Sequence, residues 1–383
     1  MAKAVYVGVD SKARKMKKAY VGIDGKARKV KKMYIGDSSG KARLCYSAEL
    51  DRHGMAAALS VARYDIRTAT VGNYALFAGG LKPGLFSVKT VDAYNTSLTK
   101  STPAEMPWER GYHASAAIEG YALFAGGEER TTSGSQFLWS TDVYNASLTL
   151  SRAPDLSYPG GALNMGAAVV GDYALFAGGM ADGRGNASGT VNVYDTSLTH
   201  TMATDLTGIP RECVRGASVG NYALFAGGQQ FEKKGNVLWE VFMVDAYDAS
   251  LTKTRATNLE SNKNRDAAAT VGNHAVFVGS PDFADIYDAS LTRTSAAILS
   301  TARTGLAATT VGNYAIFSGG GVADFCDASL TRSSIDTSMT GYKMGAATIG
   351  DYALFAGGYS GGSDKAYDDS RVTAYDSVEV YTA

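Results

Sequence analysis

Apolar and polar positions along most of the chain follow a period of two, interrupted at short intervals by glycine pairs and by Asn/Asp-x-Ser clusters. A representative stretch is Val71-Gly72-Asn73-Tyr74-Ala75-Leu76-Phe77-Ala78-Gly79-Gly80. A run of small and β-branched residues ends at Gly-Asn, the composition of a two-residue turn with positive φ open to glycine. Tyr-Ala-Leu-Phe-Ala is apolar on both alternating faces, which predicts a strand covered on both sides. The closing Gly-Gly lets neighbouring backbones approach without a Cβ. The unit recurs with its aromatic position at Tyr121, Tyr173, Tyr222, His274, Tyr314 and Tyr352, giving seven copies spaced 47, 52, 49, 52, 40 and 38 residues apart.

A second marker follows the first. Val91-Asp92-Ala93-Tyr94-Asn95-Thr96-Ser97-Leu98-Thr99 is matched at Tyr144, Tyr194, Tyr247, Tyr287 and Phe325. It predicts a third strand, then a turn held by side-chain to backbone bonds, with Leu-Thr-x-Thr opening a fourth strand. Four strands recurring over about 40 to 50 residues describe one blade of a β-propeller. The expected fold is therefore all-β, a seven-bladed propeller over residues 47–383. Residues 50–60 align with the fourth-strand stretch 290–300, while Val378-Glu379-Val380-Tyr381 at the other end is a third strand lacking a fourth. The N-terminal strand should complete the last blade and leave no open edge. Tyr367 and Tyr375 are competing placements of that final third strand.

The double glycine, the Val-x-x-Tyr-Asp third strand and an Arg ahead of the first strand resemble kelch repeats over roughly residues 50–383. The Trp usual after the third strand is replaced here by Ser-Leu-Thr.

Composition adds a division that the totals hide. The chain has 37 Lys+Arg against 37 Asp+Glu, 45% apolar and 19% charged residues, which excludes wholesale disorder. Residues 1–46 hold thirteen basic and three acidic side chains, +10, whereas residues 47–383 hold 24 basic and 34 acidic ones, −10. This places a boundary near Tyr46. The basic part repeats Tyr-Val-Gly-Val/Ile-Asp-x-Lys-Ala-Arg-Lys from Tyr6 and from Tyr20, with a shortened copy from Tyr34, and each copy reads as a two-stranded hairpin. Tyr6, Tyr20, Tyr34, Arg14, Arg28 and Arg43 are its candidate attachment residues. These repeats resemble short repeats in tail-associated structural proteins of phages and prophages of Gram-positive bacteria. That resemblance implies a virion or tail component. Its arm would attach to other tail proteins, with homo-oligomerisation left open, and its propeller would bind a host surface glycan or protein.

Candidate chemistry is sparse. An Arg stands eleven positions before the aromatic marker at Arg63, Arg110, Arg211 and Arg303, with Lys263 in a fifth copy. Blade geometry would bring these toward the channel mouth, where the kelch resemblance implies an anionic or carbohydrate ligand. The alternative is that each clips neighbouring backbone through carbonyls. Trp139 and Trp239 stand in long inserts between second and third strands, as loop-face contacts or as hairpin packing. The four His fall at different repeat positions, and Cys45, Cys213 and Cys326 are far apart, so no metal site, disulfide framework, cofactor site or catalytic set is expected. An enzyme of sugar isomerase or oxidase type and an intracellular kelch adaptor are the alternatives to a non-enzymatic display protein. Nucleic-acid binding by the basic arm is less favoured. No apolar run reaches 18 residues and no signal peptide is recognised, so neither membrane insertion nor N-terminal export is expected.

Overall fold

A computed structural model describes residues 50–383 except 159–160, 182–185, 232–236, 261–264, 281 and 362–371, and, ahead of residue 50, the backbone of six strands. Those six form three antiparallel pairs, Tyr6–Val9 with Lys12–Lys15, Tyr20–Ile23 with Lys26–Lys29, and Lys32–Gly36 with Ala42–Ser47. The first two share one register, with Tyr6 opposite Lys15 and Tyr20 opposite Lys29.

Seven four-stranded antiparallel sheets follow. Blade one consists of Arg67–Val71, Tyr74–Ala78, Val91–Asn95 and Lys100–Ser101. The other six begin at Ala114–Ile118, Gly166–Val170, Arg215–Val219, Arg265–Val271, Ala307–Val311 and Gly345–Ile349. Each first strand touches the first strand of the blades on either side, which closes a seven-membered ring around a channel. Closure is by the N-terminal strand, as the repeat alignment predicts. Asp51–Ala56 pairs with Val378–Thr382, Ala56 lying opposite Val378 and Asp51 opposite Thr382. Tyr375 instead follows a short strand, Thr373–Ala374, paired with Tyr359–Ser360, and Tyr367 lies outside the described residues.

The repeated residues explain the packing. The second-strand Phe and third-strand Tyr meet edge to face in five consecutive blades, from Phe77–Tyr94 at 5.6 Å to Phe277–Tyr287 at 5.9 Å. The Tyr hydroxyl reaches the link entering its blade, donating to the carbonyls of Ala57, Ala104, Pro154, Thr204 and Thr257 in turn. At the outer turn, the Asn or Asp side chain accepts two backbone N–H groups, as Asn95 does from Ser97 and Thr99. The Leu of Ser-Leu-Thr then takes a φ of about +60° in six blades, a region uncommon for a bulky residue, and packs against a hydrophobic cluster.

Two devices join the blades. The second glycine of Gly79-Gly80 donates its N–H to Arg110 O at 2.9 Å, and a Cβ on Gly79 would sit 2.5 Å from that same oxygen. Nearer the axis, hydroxyls at one repeat position donate to the carbonyl of that position in the preceding blade: Thr70 to Thr348, Thr348 to Thr310, Thr310 to Thr270, Thr270 to Ser218 and Ser218 to Val169.

Since the closing strand starts at Asp51, a chain beginning at residue 47 is expected to keep the wild-type far-UV circular dichroism spectrum and thermal transition. A chain beginning at residue 58 should melt far earlier, because blade seven then has an open third strand. Equal melting of the two would contradict closure by this strand.

Candidate functional site

The third strands carry a column of buried polar groups, Asp92, Asp142, Asn192, Asp245, Asp285, Asp324 and Glu379, none more than 1% exposed. Four of them pair with the arginines marked in the sequence. Arg63 meets Asp92 at 2.9 Å, Arg110 meets Asp142 at 2.7 Å, Arg211 meets Asp245 at 2.7 Å and Arg303 meets Asp324 at 2.6 Å. Arg63, Arg110 and Arg211 have no exposed surface. Each also donates to backbone carbonyls, Arg63 to Phe77 O at 3.0 Å and Arg110 to Ser140 O at 2.9 Å. The structure thus places these arginines inside the blades as clips, behind the channel wall. Lys263 lies outside the described residues.

Burial draws the guanidiniums of Arg63, Arg110 and Arg211 below their ordinary value. Burial likewise lifts the Asp142 carboxyl. It pushes on Asp92 too, but Arg63, Ser60 and Lys100 together hold that carboxyl below the usual range. In blade three the repeat position of the Arg is occupied by Ala162 and the acid column by Asn192, so both charges are missing together. Asn192 accepts from Ser157 N at 2.9 Å and contacts His200 Nε2 at 2.9 Å. In blades five and seven the acid finds its cation on a fourth strand instead, Arg293 for Asp285 and Arg52 for Glu379.

In front of the clips lies a cavity of about 1230 Å³ at one mouth of the channel. Its rim is built from the position two residues after that of the Arg in six of the seven blades: Asp65, Tyr112, Asn164, Cys213, Gly305 and Lys343. All six have φ between 51° and 68°. That conformation strains Tyr112, Cys213 and Lys343 by about 1–3 kcal/mol each. It is held by a belt of backbone bonds, Asp65 N to Lys343 O, Asn164 N to Tyr112 O, Cys213 N to Asn164 O and Lys343 N to Gly305 O, all 2.7–3.0 Å. Charged groups on the wall are mostly paired. Arg67 meets Asp65 at 2.7 Å, and Arg130, on the hairpin inserted in blade two, meets Glu128 at 3.1 Å. Burial raises the Glu212 carboxyl, whose Oε2 accepts from Asn164 Nδ2 at 2.9 Å while Oε1 has no partner among the described residues. Burial also pushes the Cys213 thiol up to about 11.

Of the loop-face residues, Trp139 is half-buried and stacks edge to face between Phe137 at 6.4 Å and the exposed Tyr158 at 5.1 Å, while Phe137 itself lines the cavity. For Trp239 the described feature is backbone pairing with Gln230 in the blade-four hairpin. The six arm residues lie on the N-terminal strand pairs described above. No group of three or more His, Cys, Asp or Glu able to hold a metal occurs among the described residues. The rim residues Asp65, Tyr112, Asn164, Cys213 and Lys343 are not marked by any sequence repeat, since every copy differs there.

No family model and no curated protein matches the sequence. Solved structures do match. One, described as "Structure of YjhT", aligns with 86% of this chain and 99% of its own at a TM-score of 0.54 and 12% identity, which shows a shared fold.

Two measurements test the roles given to buried groups. Arg110→Ala leaves Asp142 buried without its cation and should cost about 3–5 kcal/mol in urea unfolding. Adding Asp142→Asn reproduces the blade-three arrangement and should recover much of that loss; a double variant no more stable than the single would refute the clip. His113 is fully buried beside Arg110, and neither ring nitrogen has a partner among the described residues. Burial first, and then Arg110 and Arg67, hold its pKa well below the ordinary value. The unfolded chain therefore binds a proton that the folded one does not. The stability His113 contributes is complete above about pH 6.5 and falls as pH drops, by up to about 1.4 kcal/mol per unit. His113→Phe should flatten that part of the pH profile, and an unchanged slope between pH 6.5 and 4.5 would exclude it.

Proposed function

We propose that the protein is a non-enzymatic display component of a phage or prophage tail, in which a kelch-like propeller presents a ligand-binding mouth and residues 1–46 attach it to the particle. The observation that carries this reading is where the repeats diverge. The clips, glycine seams and outer turns recur around the ring, while the rim residues and the inserts after the second strands, such as Glu128–Thr131 with Gly134–Phe137, differ in every blade. A constant scaffold with variation gathered at one mouth is the arrangement by which propellers acquire binding surfaces. The arm supports the attachment half of the reading through its repeated basic hairpins, whose +10 charge opposes the −10 of the remainder. A host glycan suits a cavity that mixes paired charges, amide and hydroxyl groups with the aromatic edge of Phe137.

A second reading, a carbohydrate-active enzyme, is favoured by Glu212, a buried carboxyl facing the cavity with its affinity for a proton raised. Two experiments separate the readings. The full chain on a glycan array should retain defined oligosaccharides without altering them, and Gln136→Ala with Phe137→Ala should weaken retention about tenfold or more at unchanged melting temperature. Chemical conversion of any retained sugar, lost in Glu212→Gln, would replace display by catalysis. Retention untouched by the paired substitution would move the binding surface away from the channel mouth.

A further inference from the structure

Arg67 and Arg215 occupy the same position in their repeats, four residues after the clip arginine. They are anchored in the same way. Arg67 Nε donates to His113 O at 2.7 Å and Arg215 Nε donates to Asp266 O at 2.6 Å, in each case the carbonyl three residues after the clip position of the next blade. The copies then part. In blade one the rim residue two positions earlier is Asp65, which takes Arg67 Nη1 at 2.7 Å. In blade four that rim residue is Cys213, whose backbone oxygen lies 3.4 Å from Arg215 Nη1. The same φ, 54° and 58°, puts both residues at the same place on the rim. Arg215 is therefore the copy whose neutralising carboxylate has been exchanged for a thiol.

The other carboxylates described on the wall are engaged elsewhere. Glu212 turns to Asn164, Glu128 is engaged by Arg130, and Asp266 Oδ2 accepts from Gly305 N at 3.1 Å. Among the described residues Arg215 has no carboxylate within ion-pair distance, although its side chain lines the cavity and is part-exposed. Lys343 lines the same wall and, like Arg215, acts on Asp65 only through space, while Asp65 is engaged directly by Arg67. Burial and the neighbouring Glu212 keep the Cys213 thiol protonated, so it brings no negative charge. A guanidinium held by two carbonyl oxygens keeps donors for a planar or tetrahedral oxyanion.

Resting on the reading of the channel mouth as the ligand site, we propose that Arg215 binds an oxyanion carried by the ligand, a carboxylate or a phosphate, in the place that Asp65 fills beside Arg67. The bound oxyanion accepts from the Arg215 guanidinium, with Lys343 on the same wall of the mouth. The rest of the ligand lies toward the blade-two hairpin.

The full-length protein is titrated by calorimetry with glucuronate, glycerol 3-phosphate and, as the neutral control, glucose. Wild type should bind at least one of the two anions, and which one identifies the carboxylate or the phosphate as the source. The informative variant is Cys213→Asp, which installs the blade-one arrangement. Aspartate is well suited to this φ, as Asp65 shows, so the fold is expected to be kept. Both Cys213→Asp and Arg215→Gln should weaken anion binding at least about tenfold. Cys213→Ser should bind like wild type. Anion affinity unchanged in Cys213→Asp, or absent in wild type, overturns the proposal. Anion binding that survives Arg215→Gln undiminished would overturn the oxyanion site while leaving the display reading in force, and the absence of any ligand at the channel mouth would overturn both.

Discussion

The buried third-strand acid is the constraint on which the rest of the structure depends. Within a blade, neighbouring strands pair through short turns and need little else. The link that enters from the preceding blade has no such partner and must be held where it crosses the sheet. Asp92, Asp245, Asp285 and Asp324 each accept a backbone N–H from that link, from Ser60, Thr207, Glu260 and Ser300. A carboxylate placed there is costly unless a cation and further donors accompany it. That requirement accounts for the arginines, and blade three shows the converse, since Asn192 does the same work with neither charge. Two residues further on, the Tyr hydroxyl makes a second attachment to the same link, so acid and tyrosine set its position together.

Once the links are fixed, the geometry of the mouth follows. The clip arginine offers its own carbonyl to the double glycine of the preceding blade, as Arg110 O does to Gly80 and Arg63 O does to Gly358. The chain then has to turn sharply before starting the first strand, and the rim residue absorbs that turn at positive φ. Its backbone is bound into the belt, while its side-chain bonds differ from blade to blade, as Asp65 to Arg67 and Asn164 to Glu212 show. Any residue that tolerates the conformation therefore satisfies the scaffold, which is why Asp, Tyr, Asn, Cys, Gly and Lys all occur there. Freedom of side-chain choice on a fixed backbone is the physical condition for acquiring a ligand site without losing the fold.

This explains what could and could not be read from the sequence. The ring, its closure by residues 51–56 and the outer turns were legible because each rests on a motif repeated six or seven times. The arginines were legible as a column, but periodicity does not say whether a long side chain turns into the blade or out to the channel. Their partners would have decided it. Asp92 and its equivalents stand in the third-strand motif, and the joint loss of both charges at Ala162 and Asn192 is a signal of contact within one sequence. The rim was invisible for the opposite reason: a search for repetition passes over the positions where copies differ. Trp139 attracted notice as a large aromatic, yet it packs the hairpin between Phe137 and Tyr158.

The charge division read from the sequence also takes on a narrower meaning. Residues 47–383 carry −10 overall, a field that does not draw anions toward the propeller. At physiological salt this field is screened over about 8 Å, so it has little say over events inside the mouth. Recognition there is decided at contact distance by which rim residue stands beside which arginine. Exchanging one rim aspartate for cysteine changes the local charge by one unit beside a guanidinium already held in place by two carbonyl oxygens. A single divergence between two copies of the repeat can therefore specify a site that neither the net charge nor the repeated motifs would suggest.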